Sequence, residues 1–209
     1  MACVCCEERQ SCPSVSVSGT WIARLSMEVL NDASCGGLWD EGVIRSASAG
    51  LSICGNGFSP IPDGFIVTSA STVDKTTCGG VPIYQLGVAG PGAVMCSFSP
   101  NPTGYVVGQV NSSSQCNGQN ARVLKPVTQG VVGCSFSTQP DGYVVTAGAQ
   151  TNNCVDGALR GDYWTYTQVY DGVNVCPYSQ QPSGYYLTGT VTKSNCYGAS
   201  FGYVLKKLQ

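Results

Sequence analysis

Cysteine returns along this chain at a nearly fixed interval. One set falls at Cys54, Cys96, Cys134 and Cys176, and a second at Cys78, Cys116, Cys154 and Cys196. The last three pairs are each 20 residues apart and the first is 24 apart. Other letters keep the same interval. Glycine lies four residues before each first cysteine, at Gly50, Gly92, Gly130 and Gly172. A P-x-G step follows each first cysteine, at Pro62, Pro102, Pro140 and Pro182, and each leads into an aromatic: Phe65, Tyr105, Tyr143 and Tyr185. A worn copy precedes these, because "CPSVSVSGTW" from Cys12 resembles "CPYSQQPSGYY" from Cys176, and "SCGGLW" at Cys35 resembles "TCGGVP" at Cys78. The chain therefore divides into a Cys-rich segment, 1–11, and five units: a degenerate first at 12–53, then 54–95, 96–133, 134–175 and 176–209. Repeats of this period mark stacked or ringed architectures.

Each unit reads as β. In "CSFS" the alternation of Cys96 and Phe98 with Ser97 and Ser99 is that of a strand with one buried face. The P-x-G step reads as a turn. The following "GYVVGQV", "GYVVTAG" and "GYYLTGT" are rich in β-branched and aromatic residues, with Tyr105 and Val107 on one face. A third apolar run closes each unit, as in Val123–Leu124 and Trp164–Tyr166. Only "WIARLSMEVL", Trp21–Leu30, is ambiguous, and its place in the repeat argues for strand. The expected fold is all-β: five tandem units of about 40 residues in an elongated array. A closed, propeller-like ring is the alternative, for which three strands per unit are thin.

A unit with three short strands buries too little surface to stand alone. Pairing each first cysteine with its own second gives Cys12–Cys35, Cys54–Cys78, Cys96–Cys116, Cys134–Cys154 and Cys176–Cys196. Closing such a loop contributes about 3 kcal/mol in the chain-entropy model. Pairing between units, Cys35 with Cys54 and onward, strands Cys12 and Cys196. The first scheme is favoured because it leaves no repeat cysteine over. Cys3, Cys5 and Cys6 lie outside the repeat and are odd in number, so they read as interchain bridges or free thiols. No metal site is expected in the repeats, where cysteines stand singly and the chain has no histidine.

Charged residues are 11% of the chain and the net charge is −2. Lys206–Lys207 is the one adjacent basic pair, so nucleic acid is not an expected partner. No apolar run is long enough to span a membrane as a helix. Thirteen cysteines point to an oxidising, extracellular or virion-surface setting, yet Glu7 and Glu8 stand where a signal peptide would be apolar. A virion component released by lysis reconciles the two.

The absence of histidine removes His-based triads and Cys–His pairs, and Asp63 and Asp141 sit in turns. No enzyme and no cofactor are expected. The fourth unit departs from its siblings at "VDGALRGDYWTYTQVYDG", which groups Trp164, Tyr166 and Tyr170 with Asp156, Asp162 and Asp171. Aromatic faces beside hydrogen-bonding groups are what a sugar groove needs, and packing in a third strand is the competing reading. "RGD" at Arg160–Asp162 carries little weight at three residues, and "NSS" at Asn111 is a glycosylation sequon.

The unit "C-S-F-S-x-x-P-x-G-Y-V-V" resembles a cysteine-containing repeat of uncharacterised surface and phage-related proteins of proteobacteria. The likeness covers the second to fifth units. It implies a bacterial or phage surface setting and carries no activity with it. The expected function is therefore a non-enzymatic structural or attachment protein, most simply of a phage virion. It would form homo-oligomers with other proteins of the same assembly as partners. The alternative is a secreted lectin-like protein that binds a surface glycan.

Overall fold

The computed structural model describes residues 22–28, 41–55, 61–74, 78 and 80–209. Cys3, Cys5, Cys6 and the Cys12–Cys35 pairing lie outside the described residues. The described residues form sixteen strands and no helix. The first unit contributes β1 (Ile22–Glu28) and β2 (Glu41–Ser46), which pair antiparallel. The ambiguous "WIARLSMEVL" is thus strand over Ile22–Glu28.

Counted from the short strand that leads into its first cysteine, a few residues before the bounds read from the sequence, each remaining unit follows one plan. The second holds β3 (Ser52–Cys54), β4 (Phe65–Asp74) and β5 (Val81–Val88). The third holds β6 (Val94–Cys96), β7 (Tyr105–Ser112) and β8 (Asn120–Pro126). The fourth holds β9 (Val131–Cys134), β10 (Tyr143–Ala149) and β13 (Tyr163–Gln168), with an added hairpin of β11 (Val155–Asp156) and β12 (Leu159–Arg160). The fifth holds β14 (Asn174–Val175), β15 (Tyr185–Cys196) and β16 (Ala199–Lys207). In every three-stranded sheet the strand last in sequence lies in the middle. Four disulfides close the units: Cys54–Cys78, Cys96–Cys116, Cys134–Cys154 and Cys176–Cys196. Such bridges belong to an oxidising, extracellular environment.

Two details differ from a plain alternation. First, "CSFS" is not a strand. The first strand of the third unit ends at Cys96, and the Ser99 N–H turns back to the Cys96 carbonyl at 2.9 Å. Ser137 and Ser179 make the same turn. Second, Val106 and Val107 are both fully buried, although neighbours on a strand face opposite ways. A bulge follows directly, between Val107 and Gln109, and recurs after Val67, Val145 and Leu187. Both faces of this strand are covered: Val107 packs with its own unit and the next, and Val106 packs with the two units that follow.

The P-x-G step is a turn closed by the aromatic N–H on the proline carbonyl, as from Tyr143 to Pro140 at 3.1 Å. Gly142 holds φ at 74°, a conformation that a side chain resists.

The core is arranged in layers, and each layer needs more than one unit. Ile53, Val67 and Leu86 of the second unit pack with Cys96, Cys116 and Ala121 of the third. Met95, Val107 and Leu124 of the third pack with Cys134 and Cys154 of the fourth, and Ile66 reaches in from the second. Val131, Val145 and Tyr166 pack with Cys176 and Cys196, and Val106 reaches in from the third unit. The staples of the third, fourth and fifth units thus complete the cores of the units before them. Burying Val106 alone contributes roughly 1.5–3 kcal/mol across the joins, of the order of closing a staple. The join therefore matters to stability as much as the staple does.

Candidate functional site

The repeated site in this molecule is the join between units, and it is built from the letters the sequence repeats. The bulge in β7 takes the Val107 N–H out of the ladder. Ser137 of the next unit presents its hydroxyl there, accepting from Val107 N–H at 2.9 Å. Ser99 accepts from Val67 N–H at 3.0 Å, and Ser179 from Val145 N–H at 2.9 Å. Ser99 and Ser137 are buried polar residues among valines. The serine three after the first cysteine is therefore a cross-unit hydrogen-bond partner.

The aromatic one residue earlier makes the second contact. Phe98 stacks on Tyr84 of the preceding unit at 4.8 Å between ring centres. Phe136 lies under the Arg122 guanidinium at 5.2 Å, and Tyr178 stacks on Trp164 at 5.0 Å. Tyr84, Arg122 and Trp164 occupy equivalent places on the middle strands of their sheets. Backbone bonds add to the join, from Ala70 N–H to Gln115 O and from Val110 N–H to Asn153 O, both at 2.8 Å. Gly133 permits the close approach: a Cβ there would lie 3.1 Å from the Val107 carbonyl oxygen. Replacing Ser137 by alanine leaves a buried N–H without its acceptor, so a loss of about 1–2 kcal/mol is expected in denaturant unfolding.

The aromatic and acidic residues of the fourth unit do not form one groove. Tyr166 is fully buried in the core. Trp164 is taken up by Tyr178. Asp156 is nearly buried and accepts from Arg122 Nη2 at 2.7 Å, Arg122 Nε at 2.8 Å and Asn120 Nδ2 at 3.2 Å. Asp162 is tied through its backbone to Ser135. Asp171 sits elsewhere, accepting from the Lys207 N–H at 2.9 Å and from Lys206 Nζ at 3.3 Å. Of the six, Tyr170 alone is a large exposed apolar side chain. In "RGD", the Gly161 N–H bonds back to the Cys154 carbonyl, so the tripeptide is part of a hairpin. What sequence reasoning missed was that Asp156 belongs with Arg122 of the preceding unit. No short-range signal links residues 34 apart.

Burial pushes the Tyr166 hydroxyl far above its usual range, and the group has no partner within the protein. Its siblings at this place are Leu86, Leu124 and Leu205. Tyr166→Phe removes an unsatisfied buried hydroxyl, and a thermal midpoint equal to or above the parent's is expected.

Along the turn edge, successive P-x-G turns leave open grooves. One of about 400 Å³ is lined by Asn101, Tyr105, Gln139, Asp141 and Tyr143, and a second lies between the next two turns. Asn101 Oδ1 is buried there with no partner within the protein. The turns are also tied to each other. Gln139 exchanges two hydrogen bonds with the Gln180 backbone, at 2.8 and 2.9 Å. Asp63 accepts from the Thr103 N–H at 3.1 Å.

The Thr103 N–H holds the Asp63 carboxyl below the usual carboxylate range. The folded form is thus the stronger acid, so the contact stabilises above the unfolded pKa and is lost as pH falls through the folded one. Carboxyl NMR should give a titration midpoint for Asp63 under the ordinary aspartate value, with the Thr103 amide shifting in step. In Asp63→Asn that step should vanish.

Comparison of the chain with family models, with curated proteins and with solved structures finds no match.

Proposed function

We propose that this chain is a structural or attachment component of a surface assembly, most simply a bacteriophage virion protein of the tail, fibre or capsid-decorating kind. The observation that carries this reading is the identity of the joins. The same serine, the same aromatic and the same staple link the second unit to the third, the third to the fourth and the fourth to the fifth. A row of equivalent joins between disulfide-closed units makes a stiff body out of units too small to fold alone. Stiffness and reach are what a spacer or fibre requires. An elongated array follows naturally when each unit meets its successor in the same way. The partners are other copies of the chain and other proteins of the assembly.

Electron microscopy of the native source, with gold-labelled antibody to this chain, tests the reading. Label on a particle or filament is the expected result. Label only on free soluble protein would overturn it.

A second reading keeps the lectin-like alternative and moves its site to the turn edge. Tyr105 and Tyr143 line a groove there beside the polar side chains of Gln139 and Asp141. A sugar hydroxyl and a sugar face would match those two features. Glycan-array binding that survives Trp164→Ala and is lost in Tyr143→Ala would favour it.

A further inference from the structure

The fifth unit presents, unoccupied, each contact surface that the preceding units use to hold a successor. Tyr186 and Leu187 stand where Ile66 and Val67, Val106 and Val107, and Val144 and Val145 stand in their units. Those six are at most 0% exposed, whereas Tyr186 and Leu187 are each 44% exposed. The bulge after Leu187 matches the one that frees Val67, Val107 and Val145 N–H for a serine. Tyr203 occupies the place of Tyr84, Arg122 and Trp164, the platforms on which the next unit's aromatic rests. Phe201, exposed beside it at 5.7 Å, widens the apolar face. The chain also leaves this unit by the usual path. Leu208 N–H bonds to Gly184 O at 2.8 Å, as Val127 does to Gly104 and Val169 to Gly142.

We infer that this face docks a further stapled unit of the same repeat. The occupant is defined by the chemistry the face lacks. It must bring a disulfide to cover Leu187, an aromatic two residues after its first cysteine to stack on Tyr203, and a serine one residue later to accept from Leu187 N–H. The chain's own first unit begins "CPSV" and offers neither the aromatic nor the serine at those places, so a second copy of this chain fits less well. The ability of the face to hold a unit does not depend on the assembly reading above.

The test extends the full chain after Gln209 with a second copy of residues 171–209, which continues the register of the existing joins. Residue-resolved hydrogen exchange is read at Leu187. The expected result is protection of the Leu187 amide raised roughly tenfold or more, toward that of Val145. The intact mass should show one additional disulfide. Alanine at the appended copy of Ser179 should reverse the Leu187 protection while that disulfide remains. Unchanged exchange at Leu187, or failure of the appended disulfide to close, would overturn the inference. So would Leu187 protection that ignores the serine. Sedimentation of the unextended chain supplies the other arm. Any self-association is expected to persist in Leu187→Arg, whereas self-association abolished by Leu187→Arg would give the face to a second copy and overturn this choice of occupant. Microscopy of the source can fail without touching the exchange result, so the two readings remain separable.

Discussion

A chain with Cys96 and Cys116 both replaced by alanine should lose roughly 4–5 kcal/mol and unfold in two steps instead of one. Closing the loop of 20 residues supplies about 3 kcal/mol of this through the unfolded chain. The rest comes from the folded side. Both sulfurs lie in the layer with Ile53, Val67 and Leu86, so their removal leaves a void in the core of the second unit. In a row of units coupled mainly to their neighbours, a weakened join separates the array into two blocks. The second unit, deprived of its cover, should therefore melt first. Calorimetry or a denaturant series with tryptophan and far-ultraviolet signals would resolve the two steps. A single transition with a loss confined to the entropic share would mean that the staple acts within its own unit only.

The second large effect is expected from Asp156→Ala, at roughly 3 kcal/mol. The partner side chains are 15% and 8% exposed, so this is not a surface ion pair of the kind that contributes little. Removing the carboxylate leaves the Arg122 guanidinium pressed on Phe136 with two of its donors unpaired. Asn120 loses its acceptor as well. Replacing both charges, in Arg122→Leu with Asp156→Leu, should restore most of the loss, because no uncompensated charge then remains. A double-mutant cycle in urea measures this. A single-mutant cost near zero would show that water reaches the pair and the contact is incidental. Because Arg122 and Asp156 belong to consecutive units, the same cycle also reports on their join.

The sequence carries the plan of the fold plainly, and the reason is local. A P-x-G turn, a β-branched run and a cysteine at a fixed distance each act over a few residues, so their repetition could be counted. Pairing within units followed from keeping every repeat cysteine matched, and the four described disulfides have that connectivity. What the letters did not reveal was where one unit meets the next. "CSFS" has the alternation of a strand but forms a turn, because Phe98 and Ser99 serve the preceding unit rather than their own sheet. Val106 and Val107 break the two-fold period because a bulge and a neighbour bury both. The fourth unit's "DYWTYTQ" has the composition of a sugar groove, yet Tyr166 simply fills the place that leucine holds elsewhere. These are effects between residues well apart in sequence, 14 positions for Phe98 and Tyr84 and 32 for Ser99 and Val67, at joins that periodicity within a unit does not report.

The central claim is that each unit is completed by the one after it. Hydrogen exchange on the Cys96→Ala, Cys116→Ala chain tests it most directly, read strand by strand below the unfolding midpoint. The account predicts faster exchange in β4 and β5 of the preceding unit, with the Val67 amide among the most affected. Acceleration restricted to residues 96–126, with β4 and β5 as protected as in the parent, would contradict it.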